Sequence, residues 1–131
     1  MMNTEGLQAT EAECAAGRTA PRVSLSDIEA NIAFEMFVVG GDIAAICEAP
    51  DHPSLDVLTI CLLVLRNGFT IIGKSAPADA RNFDPKLGRK LAYEDAVRQV
   101  WPLMGYALRD RLHAATMPEA EDLDPTEQPT G

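Results

Sequence analysis

The run 57–65 is apolar at almost every position and leads into Asn67-Gly68, after which a second apolar run extends from 69 to 75. Two such runs around Asn-Gly form an antiparallel hairpin, and the dipeptide suits a two-residue type I′ turn. With that turn Arg66 faces Phe69, Val64 faces Ile71 and Leu62 faces Gly73. One face then carries Ile60, Leu62, Val64, Phe69 and Ile71, and the other Val57, Cys61, Leu63, Leu65 and Ile72. A sheet with one wet side alternates apolar and polar residues; this one does not. Both sides need a cover. Helices supply one, and a partner subunit is the simplest supply for the other.

The flanks provide the helices. Ser24 and Asp27 form a capping-box pair, and Leu25, Ile28, Ile32 and Met36 follow at helical spacing, predicting a helix over about 25–37 that ends at Gly40-Gly41. Residues 40–56 read as a loop or insertion with room for one turn of helix. Asp84-Pro85 is a strong helix start, an N-cap carboxylate followed by a proline whose missing N–H costs nothing there. Gly88, Ala92 and Ala96 recur every four residues and allow the helix backbone to approach its support closely. Pro102 and Gly105 predict a kink or break near Trp101, with a final helix over about 103–115. The fold class is therefore α+β: a small antiparallel sheet or hairpin, an N-terminal helix, and a kinked C-terminal helix pair.

Residues 1–21 lack apolar periodicity. Residues 117–131 hold five acids, three prolines and no base. Neither end buries enough apolar surface to offset the entropy of ordering, so both are expected to be disordered around a single domain at 22–116. A domain of roughly 95 residues gains much from self-association, and a homo-oligomer, at least a dimer, is expected.

Charge narrows the function. The chain carries a net −9, but 22–116 holds twelve acids against ten bases, and 81–111 holds seven bases against four acids. Duplex nucleic acid is disfavoured, because neutralising a phosphate backbone needs a larger basic excess. A small anion needs only a few convergent cations. Cys14, Cys47 and Cys61 are too widely spaced for a disulfide framework or a zinc site, and no cofactor motif is present. No stretch reaches the length of a membrane span. The sequence reads as a reduced, cytosolic protein.

No catalytic set assembles. His52 and His113 read as surface residues, Glu94 and Asp95 point apart on a helix, and Cys61 reads as a buried inert thiol. The protein is not expected to be an enzyme. Phe83 has no staple partner, since the position five residues on is Gly88. Its ring therefore packs into the core or stacks a ligand at the helix start. Arg89, Arg109 and Arg111 can supply charge-assisted hydrogen bonds to phosphates. The plainer reading makes Phe83 core and the arginines a solvated face. Arg111 fits that reading badly, because it projects near the middle of the last helix's apolar face.

One further pattern spans these segments: Cys61 with Leu65-Arg66-Asn67-Gly68-Phe69, then Gly73-Lys74-Ser75-Ala76, Asn82-Phe83-Asp84 with Gly88 and Ala92, and Trp101-Pro102-Leu103 with Gly105-Tyr106 and Leu108. In that order they resemble a family of small tailed-phage proteins typed by a gene-forty-nine product and a gene-sixty-six product. The family includes or adjoins the first kind of Thoeris anti-defence proteins, sponges that bind cyclic ADP-ribose isomers or cyclic oligonucleotides at subunit interfaces without cleaving them. The resemblance implies a protein of the bacterial host cytoplasm that sequesters a cyclic nucleotide. Phe83 would stack a base, Asn82 would hydrogen-bond it, and Arg109, with Arg89 or Arg111, would hold phosphates. Ala78-Asp79-Ala80-Arg81 and the long 40–56 connection depart from the family pattern at places that would shape a pocket. The alternative is a phage accessory or structural protein that acts through protein–protein contacts and takes no small ligand.

Overall fold

Strands β1 (Ile32–Val39), β2 (Thr59–Leu65) and β3 (Thr70–Ser75) form an antiparallel meander with β2 at its centre. The structure is a computed structural model that describes residues 5–16 and 20–117. The hairpin stands where its turn chemistry puts it, but its register differs from the sequence expectation. The Leu65 N–H donates to the Phe69 carbonyl and the Gly68 N–H to the Leu65 carbonyl, both at 2.8 Å. The loop thus has three residues, Arg66 to Gly68, and of these only Gly68 takes a positive φ, of 91°. This is a type I turn closed by a glycine bulge, which accepts Asn-Gly as readily as the type I′ turn does. The extra residue moves the pairing by one, so that Leu63 faces Ile71 and Leu62 faces Ile72. Every β3 side chain changes side. Ile71 enters the core, and Ile72 is left 59% exposed on the far face.

The helix expected over 25–37 stops early. α2 (Leu25–Ala30) carries the predicted capping box, with the Asp27 N–H donating to Ser24 Oγ at 3.1 Å and the Ser24 N–H to Asp27 Oδ2 at 2.9 Å. It ends at Asn31, and β1 begins with the next residue. Ile32, Phe34, Phe37, Val38 and Val39 are β-branched or aromatic, and pairing along the whole length of β2 outweighs the helical spacing of Ile32 and Met36. Residues 40–56 contain α3 (Gly40–Ile46), and a 3-10 turn at Pro53–Val57 follows.

The two helical segments expected either side of Trp101 run as one. α4 (Pro85–Thr116) has 32 residues with Pro102 inside it. A proline there removes one ladder bond, but contacts on the preceding turn hold the helix in place: Val97 and Val100 are buried, and Trp101 Nε1 donates to the Val23 carbonyl at 3.1 Å. Its start is as predicted, with Asp84 accepting from the N–H groups of Lys86 and Leu87 at 3.0 and 3.4 Å. The small ridge does what its spacing suggests. A Cβ on Gly73 would collide with the Ala92 carbonyl and lie 2.6 Å from the Ala96 nitrogen, so α4 rests directly on β3.

Part of the N-terminal region expected to be disordered is helical. In α1 (Glu5–Ala15), Leu7 is buried in the core, and Glu11 accepts from both Arg22 guanidinium nitrogens at 3.0 and 2.7 Å and from the Leu25 N–H at 3.1 Å. The Arg22 hydrogen bond holds the Glu11 carboxyl below its ordinary pKa, and the same bond raises that of Arg22. An apolar anchor and a bidentate pair help dock a helix whose sequence shows no stripe. The expectation for 117–131 falls, beyond Met117, outside the described residues.

The core lies between the sheet and α4. Leu25, Ile28, Cys61, Leu63, Leu65, Ile71, Ala92, Tyr93, Ala96, Val97 and Val100 fill it. Burial, and secondarily the Glu35 charge, push the Cys61 thiol up to about 12, so it is the inert thiol the sequence suggests. The opposite face of the sheet is also apolar. Phe34 (54% exposed) and Met36 (43%) join Ile72 around the half-buried Ile60, Leu62 and Val64, and no described element covers them.

Candidate functional site

A large cavity lies where both turns at one end of the sheet meet α4. It encloses about 540 Å³ and is lined by Arg22, Val23, Asp27, Ala30, Asn31, Arg66, Asn67, Met104, Ala107, Leu108 and Arg111. The fold builds it from backbone outward. The Arg66 N–H donates to the Asn31 carbonyl at 2.9 Å and Arg66 Nε to the Ala30 carbonyl at 2.6 Å, which ties the hairpin loop to the end of α2. Asn31 Nδ2 reaches Met104 Sδ at 3.5 Å and ties that corner to α4. Asn67 Oδ1 accepts from the Phe69 N–H at 2.9 Å, so its amide nitrogen remains free to donate.

Three guanidinium groups border this space in different states. Arg22 is committed to Glu11, Arg66 spends one donor on the backbone, and Arg111 has no hydrogen-bond or ion-pair partner among the described residues. Asp27 is held below its ordinary pKa by the Ser24 backbone and side-chain hydrogen bonds, so it stays ionised and directed at its own helix start. The remaining donors can serve an anion, and Ala107, Leu108 and Met104 offer apolar walls to a ring.

The other sequence-predicted residues stand elsewhere. Asn82 and Phe83 line a cleft of about 70 Å³ with Pro77, Leu87, Gly88 and Leu91. The ring packs towards Gly88, with Cε1 3.7 Å from where a Cβ would stand. Arg89 borders a third cavity, of about 170 Å³, with Phe37, Asp42 and Thr59. Arg109 is exposed and lines none of these three. A single chain therefore brings together Asn82 and Phe83 but not the arginines expected to act with them. Conversely, Arg22, Asn31, Arg66 and Asn67 border the 540 Å³ cavity and were not anticipated. Arg66 and Asn67 were legible as turn residues, but nothing local marks them as neighbours of Arg111.

Among the described residues no group of three or more His, Cys, Asp or Glu side chains is placed to hold a metal ion, and no helix is long and apolar enough to cross a membrane. No curated protein and no solved structure matches the chain. A family model does. It covers residues 23–112, from just before α2 through the sheet and most of α4, which is well over half of the sequence. On that match the chain belongs to the phage protein (N4 Gp49/phage Sf6 gene 66) family.

Proposed function

We propose that this phage-family protein binds and sequesters a cyclic nucleotide immune signal in the host cytoplasm, without cleaving it, and does so as a homo-oligomer. The observation that carries the proposal is the cavity bordered by Arg22, Arg66 and Arg111, with Arg111 unpaired. Its 540 Å³ falls within the range of about 300–1,000 Å³ usual for small-molecule sites. Arg111 and Arg66 supply phosphate donors, and Asn31 and Asn67 supply amides for a base or ribose. Asn82, Phe83, Arg89 and Arg109 would enter the same ligand shell only across a subunit boundary, so these assignments require the oligomer. The uncovered sheet face and the exposed apolar residues of α4 beyond Val100 are consistent with such an assembly.

Calorimetry against cyclic ADP-ribose isomers and cyclic di- and trinucleotides tests the proposal. Tight binding lost in Arg111→Ala and Arg66→Ala, with the ligand recovered intact after heat denaturation, supports it. Loss in Phe83→Ala and Arg109→Ala as well would place those residues in a shared site. Light scattering that reports a monomer at micromolar concentration would remove the intersubunit assignments. One observation favours a second reading, an accessory protein acting through protein contacts: Phe34, Met36 and Ile72 form an open apolar face. Failure of the whole ligand panel would move the assignment there.

A further inference from the structure

β1 carries a bulge. Ile32 pairs with Leu65 and Phe34 with Val64, so Ala33 is an extra residue on the edge strand. Without it, alternation from Ile32 would turn Phe34 and Met36 inward and Glu35 outward. With it, Phe34 and Met36 turn out, while Glu35 and Phe37 share the inner face with Leu63 and Cys61. The bulge therefore spends a ladder position to place a carboxylate on the side occupied by α4.

Around that point lies a cavity of about 210 Å³, lined by Glu29 of α2, Ile32 to Glu35 of β1, and Tyr93 of α4. Tyr93 is fully buried, yet its hydroxyl has no hydrogen-bond partner. A buried phenol without a partner is costly and uncommon. Burial first, then the charges of Glu29 and Glu35, push its pKa up. The hydroxyl thus sits in the field of the two carboxylates that border the cavity. Neither carboxylate has a hydrogen-bond or ion-pair partner among the described residues.

We infer that Glu29, Glu35 and Tyr93 form a binding site for an organic cation, a guanidinium or primary ammonium head group. Such a head group donates to both carboxylates and to the phenol oxygen, ending its unpaired state. A metal ion fits less well, because two carboxylates and a neutral phenol fall short of the ligand set a divalent ion takes. The site is distinct from the arginine-lined cavity in residues and in sign of charge, so it stands or falls independently of the sequestration proposal.

The test is calorimetry of the full chain with agmatine, with an acetylated and amidated Gly-Arg-Gly peptide, with methylurea as a neutral control, and with magnesium chloride. Agmatine stands for a free metabolite cation, and the peptide for a side chain presented by a protein. Saturable binding of either, with methylurea silent, and weakened about tenfold or more by Glu35→Gln, Glu29→Gln and Tyr93→Phe, supports the site. The tighter of the two probes identifies the source. Thermal unfolding of each variant separates lost binding from lost folding, and Tyr93→Phe is expected to fold at least as well as the parent because it removes an unpaired hydroxyl. No binding of either probe at millimolar concentration overturns the proposal. So does binding that weakens in the glutamate variants but not in Tyr93→Phe, which would reduce it to diffuse surface attraction. Competition by magnesium at the same residues would overturn the organic-cation assignment.

Discussion

The two halves of α4 share one backbone and differ in almost everything else. From Pro85 to Val100 the helix buries Gly88, Ala92, Tyr93, Glu94, Ala96, Val97 and Val100; from Trp101 to Thr116 it buries no residue. The cause is dimensional. A helix of 32 residues is about 48 Å long at 1.5 Å per residue, whereas a seven-residue strand such as β2 spans only about 23 Å. The sheet can cover about half of α4, and the rest overhangs with Leu103, Tyr106 and Leu112 exposed. Helix continuity in the second half is inherited from packing in the first, since an isolated segment of that length is marginal in water. The same secondary structure thus has two different origins within one element.

Substitutions can break or sharpen this contrast. The largest effect is expected at Gly73, where any side chain meets the Ala92 carbonyl and Ala96. Gly73→Val should cost about 3 kcal/mol or more, or prevent folding, read by chemical denaturation. Next, Val97→Ala in the covered half should cost about 1.5–3 kcal/mol, while Leu112→Ala in the overhang should cost under about 0.5 kcal/mol at a concentration where the chain is monomeric. Equal costs would show that the overhang is packed against something else. Removing the cap at the covered end, Asp84→Ala, should lose about 1 kcal/mol. The smallest expected change has the opposite sign. A Cβ on Gly105 meets nothing within 4 Å, so Gly105→Ala should gain about 0.5–1 kcal/mol, seen as a raised melting temperature.

Legibility in the sequence divides along similar lines. Features fixed by a few neighbouring residues were readable: the hairpin from its Asn-Gly, the α4 start from Asp84-Pro85, the close ridge from Gly88, Ala92 and Ala96. Features decided by distant partners were not. Ile32 and Met36 fit a helix after Ile28 and become a strand because β2 lies alongside. Asn67-Gly68 suits two turns that differ by one residue, and the choice reverses which of Ile71 and Ile72 is buried. Leu7 and Glu11 give no periodic signal; the helix there is supported by distant partners, Arg22 and the core among them. The candidate site follows the same rule. Arg111 stood out locally as an arginine on an apolar face, whereas Arg22, Arg66 and Asn31 reach the same cavity only because two turns and a helix converge.

The borders of the sheet are unequal. On the outer side of β3, the Lys74 N–H donates to Asp95 Oδ2 at 2.9 Å and Gln99 Nε2 donates to the Ile72 carbonyl at 2.7 Å, so α4 occupies two of the groups another strand would need. On β1 no such side chains close the ladder among the described residues. The β1 edge is therefore the more open of the two to strand addition. Two copies joined through β1 would form a six-stranded sheet terminated by Asp95 and Gln99 at both ends. Growth past two copies by edge pairing would then be disfavoured, even with an apolar sheet face exposed.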